Sequence, residues 1–142
     1  MLQPLKSLQV AFALLLAAVL PTSTSASEPG HQAAKADRLA VLFHADWCGS
    51  CKTLDPLLKA ARSQLPDDTG ILFVAFDLTN QGSTNQAAML AEVLSITPIY
   101  SEFGPKTGFV LIIDAESKEV LQTITKSETE ESILAAFRQM SS

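Results

Sequence analysis

Cys48 and Cys51 are the only thiol-bearing residues in a chain of 142, and two positions separate them. They lie in the run ADWCGSCK, residues 45–52, which follows a short apolar stretch and opens a helical pattern. A helix N-terminus presents unpaired N–H groups and about half a positive charge, so a sulfur placed there is stabilised as an anion. A thiolate at Cys48 therefore forms below the pKa of about 8.5 of a free thiol, and every tenfold gain in acidity corresponds to about 1.4 kcal/mol of preference for the anion. Cys51 falls one turn on, inside the helix, where its thiol is less exposed. That assigns Cys48 as nucleophile and Cys51 as resolving thiol in a dithiol–disulfide exchange. Gly49 and Ser50 keep the turn compact and aim their N–H groups at the sulfurs. Trp47 shields the sulfurs, and Lys52 either raises the local positive potential or is a solvated helix charge.

A disulfide closing so short a loop removes little entropy from the unfolded chain, so it makes a poor staple. The inert alternatives are a local disulfide without chemistry and a metal knuckle. Zinc takes about four ligands, and only His31 and His44 remain to join the two cysteines. No metal is expected, and no cofactor beyond the Cys48–Cys51 pair. His44 is expected to be packed or facing solvent, and Asp46 to be a surface charge.

The elements that must hold this pair follow from periodicity. Residues 39–43 (LAVLF) form a short apolar run bounded by charge, consistent with a buried strand. From Cys48 a helix follows, with Leu54, Leu57, Leu58 and Ala61 at three- and four-residue spacing and Pro56 kinking it. Residues 71–78 (ILFVAFDL) form a second strand, buried on both faces by its composition. Residues 83–94 form a second helix capped by Ser83 or Thr84, with Met89, Leu90, Val93 and Leu94 as core. Residues 95–108, with two prolines and two glycines, make a long connection. Strands follow at 109–113 and 120–125, paired as a hairpin. Ser127 with Glu130 is a capping-box pattern for a last helix running to about Met140. The order is β-α-β-α-β-β-α.

Composition bounds the partners. The chain is 47% apolar, which suits one globular domain. Ten Lys and Arg stand against 15 Asp and Glu, and only Lys6 precedes residue 27, so residues 27–142 carry 9 − 15 = −6. That excludes a nucleic-acid partner and disfavours an anionic membrane surface. Residues 1–26 have the pattern of an export signal: Lys6, an apolar run at 10–20 (VAFALLLAAVL), Pro21, then small residues at 24–26. The run is short of the roughly 20 residues a bilayer core requires, so no stable membrane insertion is expected once the signal is removed. Residues 27–38 read as a linker and 39–142 as the folded domain. Export, with the periplasm as destination, places the pair in an oxidising compartment where disulfides persist.

With those residues in view, the sequence resembles the thioredoxin superfamily over about residues 38–140. The match rests on ADWCGSCK, with Trp47 before the first cysteine and Lys52 after the second, and on Pro56 five residues beyond Cys51. A CxxC beside a βαβ pattern is itself a recognised signature of that group. Residues 76–80 (FDLTN) resemble the C-terminal domain of DsbD-type reductases. The resemblance implies an α/β fold, a central four-stranded mixed sheet flanked by helices. It also implies an exported thiol–disulfide oxidoreductase, a reductase rather than an oxidant, serving a disulfide-containing protein substrate with an electron donor or acceptor as redox partner.

Three departures from the family accompany it. Leu42 stands six positions before Cys48, where the family carries a buried acid, and Phe76 is read at the position of the lysine that accompanies that acid. Gly108, preceded by Thr107, falls where the family places a cis-proline, although a shifted alignment recruits Pro105 instead. These departures keep two other functions in view: a non-catalytic binding module using residues 95–108, and a protein that hands on copper through the CxxC.

Overall fold

The computed structural model describes residues 35–141. The expected leader and most of the expected linker lie outside those residues. The elements run β1 (Arg38–His44), α1 (Gly49–Ser63), β2 (Ile71–Asp77), α2 (Gln81–Val93), α3 (Thr97–Phe103), β3 (Phe109–Asp114), β4 (Val120–Thr125) and α4 (Glu130–Met140). The four strands form one mixed sheet in the order β2-β1-β3-β4. β1 runs parallel to β2 through the α1 crossover and antiparallel to β3, and β3 and β4 form the hairpin.

Alternation along β1 builds two apolar layers, because successive side chains point to opposite faces. Leu39, Val41 and Phe43 face the layer completed by Phe76, Leu111 and Ile113 and by Ala87, Ala91, Ile96 and Ile99 from α2, α3 and the link between them. Ala40 and Leu42 face the other layer, where Leu54 and Ala61 of α1 meet Ile133 and Phe137 of α4. Phe43 anchors the first layer, edge-on to Phe76 at 5.3 Å and stacked with Phe109 at 4.8 Å between centroids. The central strand thus has a fully buried aromatic as its penultimate residue, just ahead of His44 and the loop that carries the cysteines.

Several expectations change. β2 is an edge strand, and Leu72 is 44% exposed, so it is not buried on both faces. A run of seven apolar residues in eight does not distinguish a central strand from an edge strand. Arg38, assigned to the linker, already belongs to β1. Met89 and Val93 are 68% and 79% exposed, whereas Leu90 and Leu94 pack on the first layer. The helix turns its small residues Ala87 and Ala91 inward instead, which brings it close to the sheet.

The 95–108 connection contains the helix α3, with Pro98 in its first turn, where a missing N–H costs nothing. The order therefore gains one helix over the expected one. Both later helices are capped upstream or downstream of the expected residues. Asn80 caps α2, with Ser83 closing the reciprocal box, and Thr129 caps α4 with Ser132. In each case a serine three residues into the helix returns the bond that Glu or Gln usually supplies.

The caps make a direct test. Asn80→Ala is expected to lower unfolding free energy in urea by about 1 kcal/mol, whereas Thr84→Ala stays within about 0.5 kcal/mol of wild type.

Candidate active site

The site begins where β1 ends. After His44 the chain turns through Ala45 to Trp47, and the Cys48 N–H donates to the Ala45 carbonyl at 3.0 Å. Cys48 is the N-cap of α1, in extended conformation, and its Sγ accepts the Cys51 N–H at 3.1 Å. A sulfur thus occupies the place that Ser, Asp or Asn usually takes, facing the unpaired donors of the first turn. No acidic side chain lies in that turn to compete with it.

The two cysteines are joined as a disulfide, with Cα atoms 5.3 Å apart. Cys48 is 6% exposed and Cys51 fully buried, and with Ala45 they form a small buried cluster of their own. The Cys51 Sγ lies 3.9 Å from the Phe43 carbonyl oxygen, so the inner sulfur rests against the last buried peptide of β1. Both sulfur-bearing residues are thus buried, with Cys51 the deeper of the two.

Gly108 closes the site from β3. Its N–H donates to the Phe43 carbonyl at 2.8 Å, and its φ is +92°. A Cβ added there would lie 3.2 Å from Cys48 Sγ and 2.5 Å from Ser50 Cβ. The residue beside the disulfide must therefore be one without a side chain. The cis peptide of this segment is Gly104–Pro105, in the turn after α3. Both residues named in the alternative alignments thus carry a special backbone, but Gly108 is the one against the sulfur.

Trp47 is 62% exposed, and its indole N–H donates to the Thr79 carbonyl at 3.1 Å. The Thr79 hydroxyl accepts the Asp46 N–H at 3.1 Å, so one residue after β2 holds both residues ahead of Cys48. Thr79 is invisible to sequence reasoning, because its role depends on β1 and β2 ending side by side. Asp77 receives the Thr79 hydroxyl and backbone N–H, which together with the nearby His44 hold its carboxyl below the usual range. His44 bridges outward from the same strand end. Its Nδ1 is 3.2 Å from Asp55 on α1 and its Nε2 is 3.4 Å from Asp46. Asp46 is a surface charge, 82% exposed, beside the His44 ring. Lys52 is exposed on the first turn of α1.

The missing charge pair needs one correction. Leu42 stands in register with Ala75, and both line a cavity of about 550 Å³ between α1 and the sheet. Phe76 points to the opposite layer. The side chain across from Leu42 is therefore Ala75, while Phe76, read at the family's lysine position, lies one residue on, and none of the three carries charge. Among the described residues, no group of three or more His, Cys, Asp or Glu side chains is placed to hold a metal ion.

The sheet order, the helix crossover and the disulfide at the start of α1 define a thioredoxin-like α/β fold. The chain belongs to the thioredoxin family, whose model matches residues 24–100. That match includes both cysteines and ends before Thr107 and Gly108. No curated protein matches the sequence. Among solved structures it is similar to a thioredoxin of Malassezia sympodialis, Mala s 13. That likeness is at 18% identity over 75% of this chain and 80% of that one, with a TM-score of 0.48.

Gly108→Ala tests the close approach. It is expected to cost about 2 kcal/mol or more in urea unfolding of the oxidised protein, from left-handed backbone and overpacking together. An unchanged midpoint would contradict the contact.

Proposed function

We propose that the protein is an exported thiol–disulfide oxidoreductase that works as a reductase. The observation that carries the reading is the placement of the Cys48 sulfur as the cap of α1, with Cys51 buried one turn behind it. In the reduced protein the Cys48 thiolate attacks a sulfur of a partner disulfide. One partner sulfur leaves as a thiolate and takes up a proton, and a mixed disulfide with Cys48 remains. Cys51 then gives up its proton and attacks Cys48 Sγ, which restores the intramolecular disulfide and releases the second partner thiol. Two electrons pass to the substrate, and a redox partner must return them. With Leu42 and Ala75 uncharged, the proton of Cys51 leaves through water.

Support for the reducing direction comes from the likeness of ADWC and FDLTN to reducing members of the superfamily. Support for export comes from residues 1–26. Trp47, Gly49, Ser50, Lys52, Thr107 and Gly108 serve as supporting residues around the pair. The substrate is a disulfide-bearing protein, and the chemistry needs no cofactor beyond the two cysteines.

In an insulin-reduction assay driven by dithiothreitol, wild type is expected to accelerate turbidity and Cys48→Ala to fall to the rate of dithiothreitol alone. Cys51→Ala is expected to accumulate the mixed disulfide, visible as a mass increment lost on reduction. Equal rates for wild type and Cys48→Ala would remove the enzymatic reading. Equilibration with glutathione is expected to give a potential near that of thioredoxin, about −270 mV; one near −120 mV would reverse the direction.

A further inference from the structure

A groove of about 380 Å³ opens beside the disulfide, between the first turn of α1 and the loop ends of β3 and β4. Ser50 and Gly108, which touch each other and Cys48, form its inner end. Phe103 and Phe109 line it, with ring centroids 5.8 Å apart. Lys106 and Lys126, both exposed, stand on it from two different loops, and Lys106 Nζ lies 5.6 Å from the Phe103 centroid. The remaining lining is Thr107, Thr123, Thr125 and Ser127, so hydroxyls accompany the two ammonium groups. Among the described residues no carboxylate lines the groove, although the chain has 15 acids against 10 bases. Its size is at the lower end for ligand pockets, enough for a short stretch of peptide.

From this charge distribution we infer that Lys106 and Lys126 set substrate preference: the groove takes an extended peptide with acidic residues flanking the half-cystine that Cys48 attacks. The inference rests on the oxidoreductase reading and names its substrate class. A peptide whose sulfur reaches Cys48 past Ser50 and Gly108 continues along the groove, and its flanking carboxylates meet the two lysines. The aromatic pair supports the aliphatic parts of the same segment. Outside the groove the chain carries 15 acids against 10 − 2 = 8 bases, so the two lysines stand out against an acidic background. Since both ammonium groups are exposed, the preference fades with salt, whose screening length is about 8 Å at 0.15 M.

The test uses three peptides of equal length with one central cysteine, flanked on both sides by Glu, Gln or Lys, each as a mixed disulfide with 2-mercaptoethanol. Protein reduced beforehand with dithiothreitol and freed of it supplies two electrons. Each turnover yields the peptide thiol, 2-mercaptoethanol and the Cys48–Cys51 disulfide. The expected kcat/KM for the Glu peptide exceeds that of the Gln peptide by about threefold or more at low salt, with the Lys peptide slowest. That ratio should fall towards one in 0.5 M sodium chloride and in the double variant Lys106→Gln/Lys126→Gln. It should persist in Lys35→Gln/Lys59→Gln, which removes the same charge elsewhere.

Equal rates for Glu and Gln peptides in wild type, a preference for Lys, or a ratio unchanged by the groove substitutions would each overturn the inference. So would a preference found only for glutathione disulfide over bis(2-hydroxyethyl) disulfide and absent among the peptides. Turnover of bis(2-hydroxyethyl) disulfide separates the two readings. If it proceeds while the peptides are not distinguished, only the groove inference fails. If no disulfide is reduced, the oxidoreductase reading fails with it.

Discussion

The bond from the Cys51 N–H to the Cys48 sulfur organises this molecule. A helix must begin somewhere, and its first donors must find acceptors. Here the acceptor is the sulfur to which we assign the nucleophilic role, so starting α1 and polarising that sulfur are one event. The requirement propagates outward. β1 has to end where α1 begins, and the buried ring of Phe43 fixes that end from the far face of the sheet. The carbonyl of Phe43 then serves both sides of the site. It meets the Cys51 sulfur and receives the Gly108 N–H, so one peptide sets the depth of the inner sulfur and the approach of β3.

Much of this is legible in the chain because it is local. The cysteine pair, the helix behind it and the four strands come from spacing and alternation over ten to fifteen residues, and the structure places them as expected. What escapes depends on distant neighbours. The stretch ILFVAFD reads as buried, yet its place at the edge of the sheet is decided by which strands pair, not by its own composition. Which residue faces Leu42 across the sheet is likewise a matter of register: Ala75 does, and Phe76, one residue on, points to the opposite face. Met89 and Val93 fit a helical apolar stripe, but the neighbouring Ala87 and Ala91 allow closer packing and displace them to the outside.

The site shows the same division. Cys48 and Cys51 stand out by their own spacing. The position of Gly108 emerges only by comparison with the family pattern, and the reason for it, a sulfur and a serine within a few ångströms, lies 60 and 58 residues away in the chain. Thr79 lies in the FDLTN run, but nothing in the sequence shows that it holds Trp47 and Asp46. Lys106 and Lys126 are ordinary surface lysines until two loops bring them to one groove beside Ser50.

Pro56, in the middle of α1, has a mechanical consequence. A proline nitrogen carries no hydrogen, so the Lys52 carbonyl loses the partner that would continue the ladder. The segment bearing both sulfurs is therefore coupled to the remainder of the helix by one bond fewer than regular geometry supplies. Ala61 keeps the distal portion seated on the sheet, and Leu54 with Cys51, both fully buried ahead of the proline, hold the proximal portion. Side-chain burial, rather than the helix ladder, thus does most to fix the turn that bears the sulfurs.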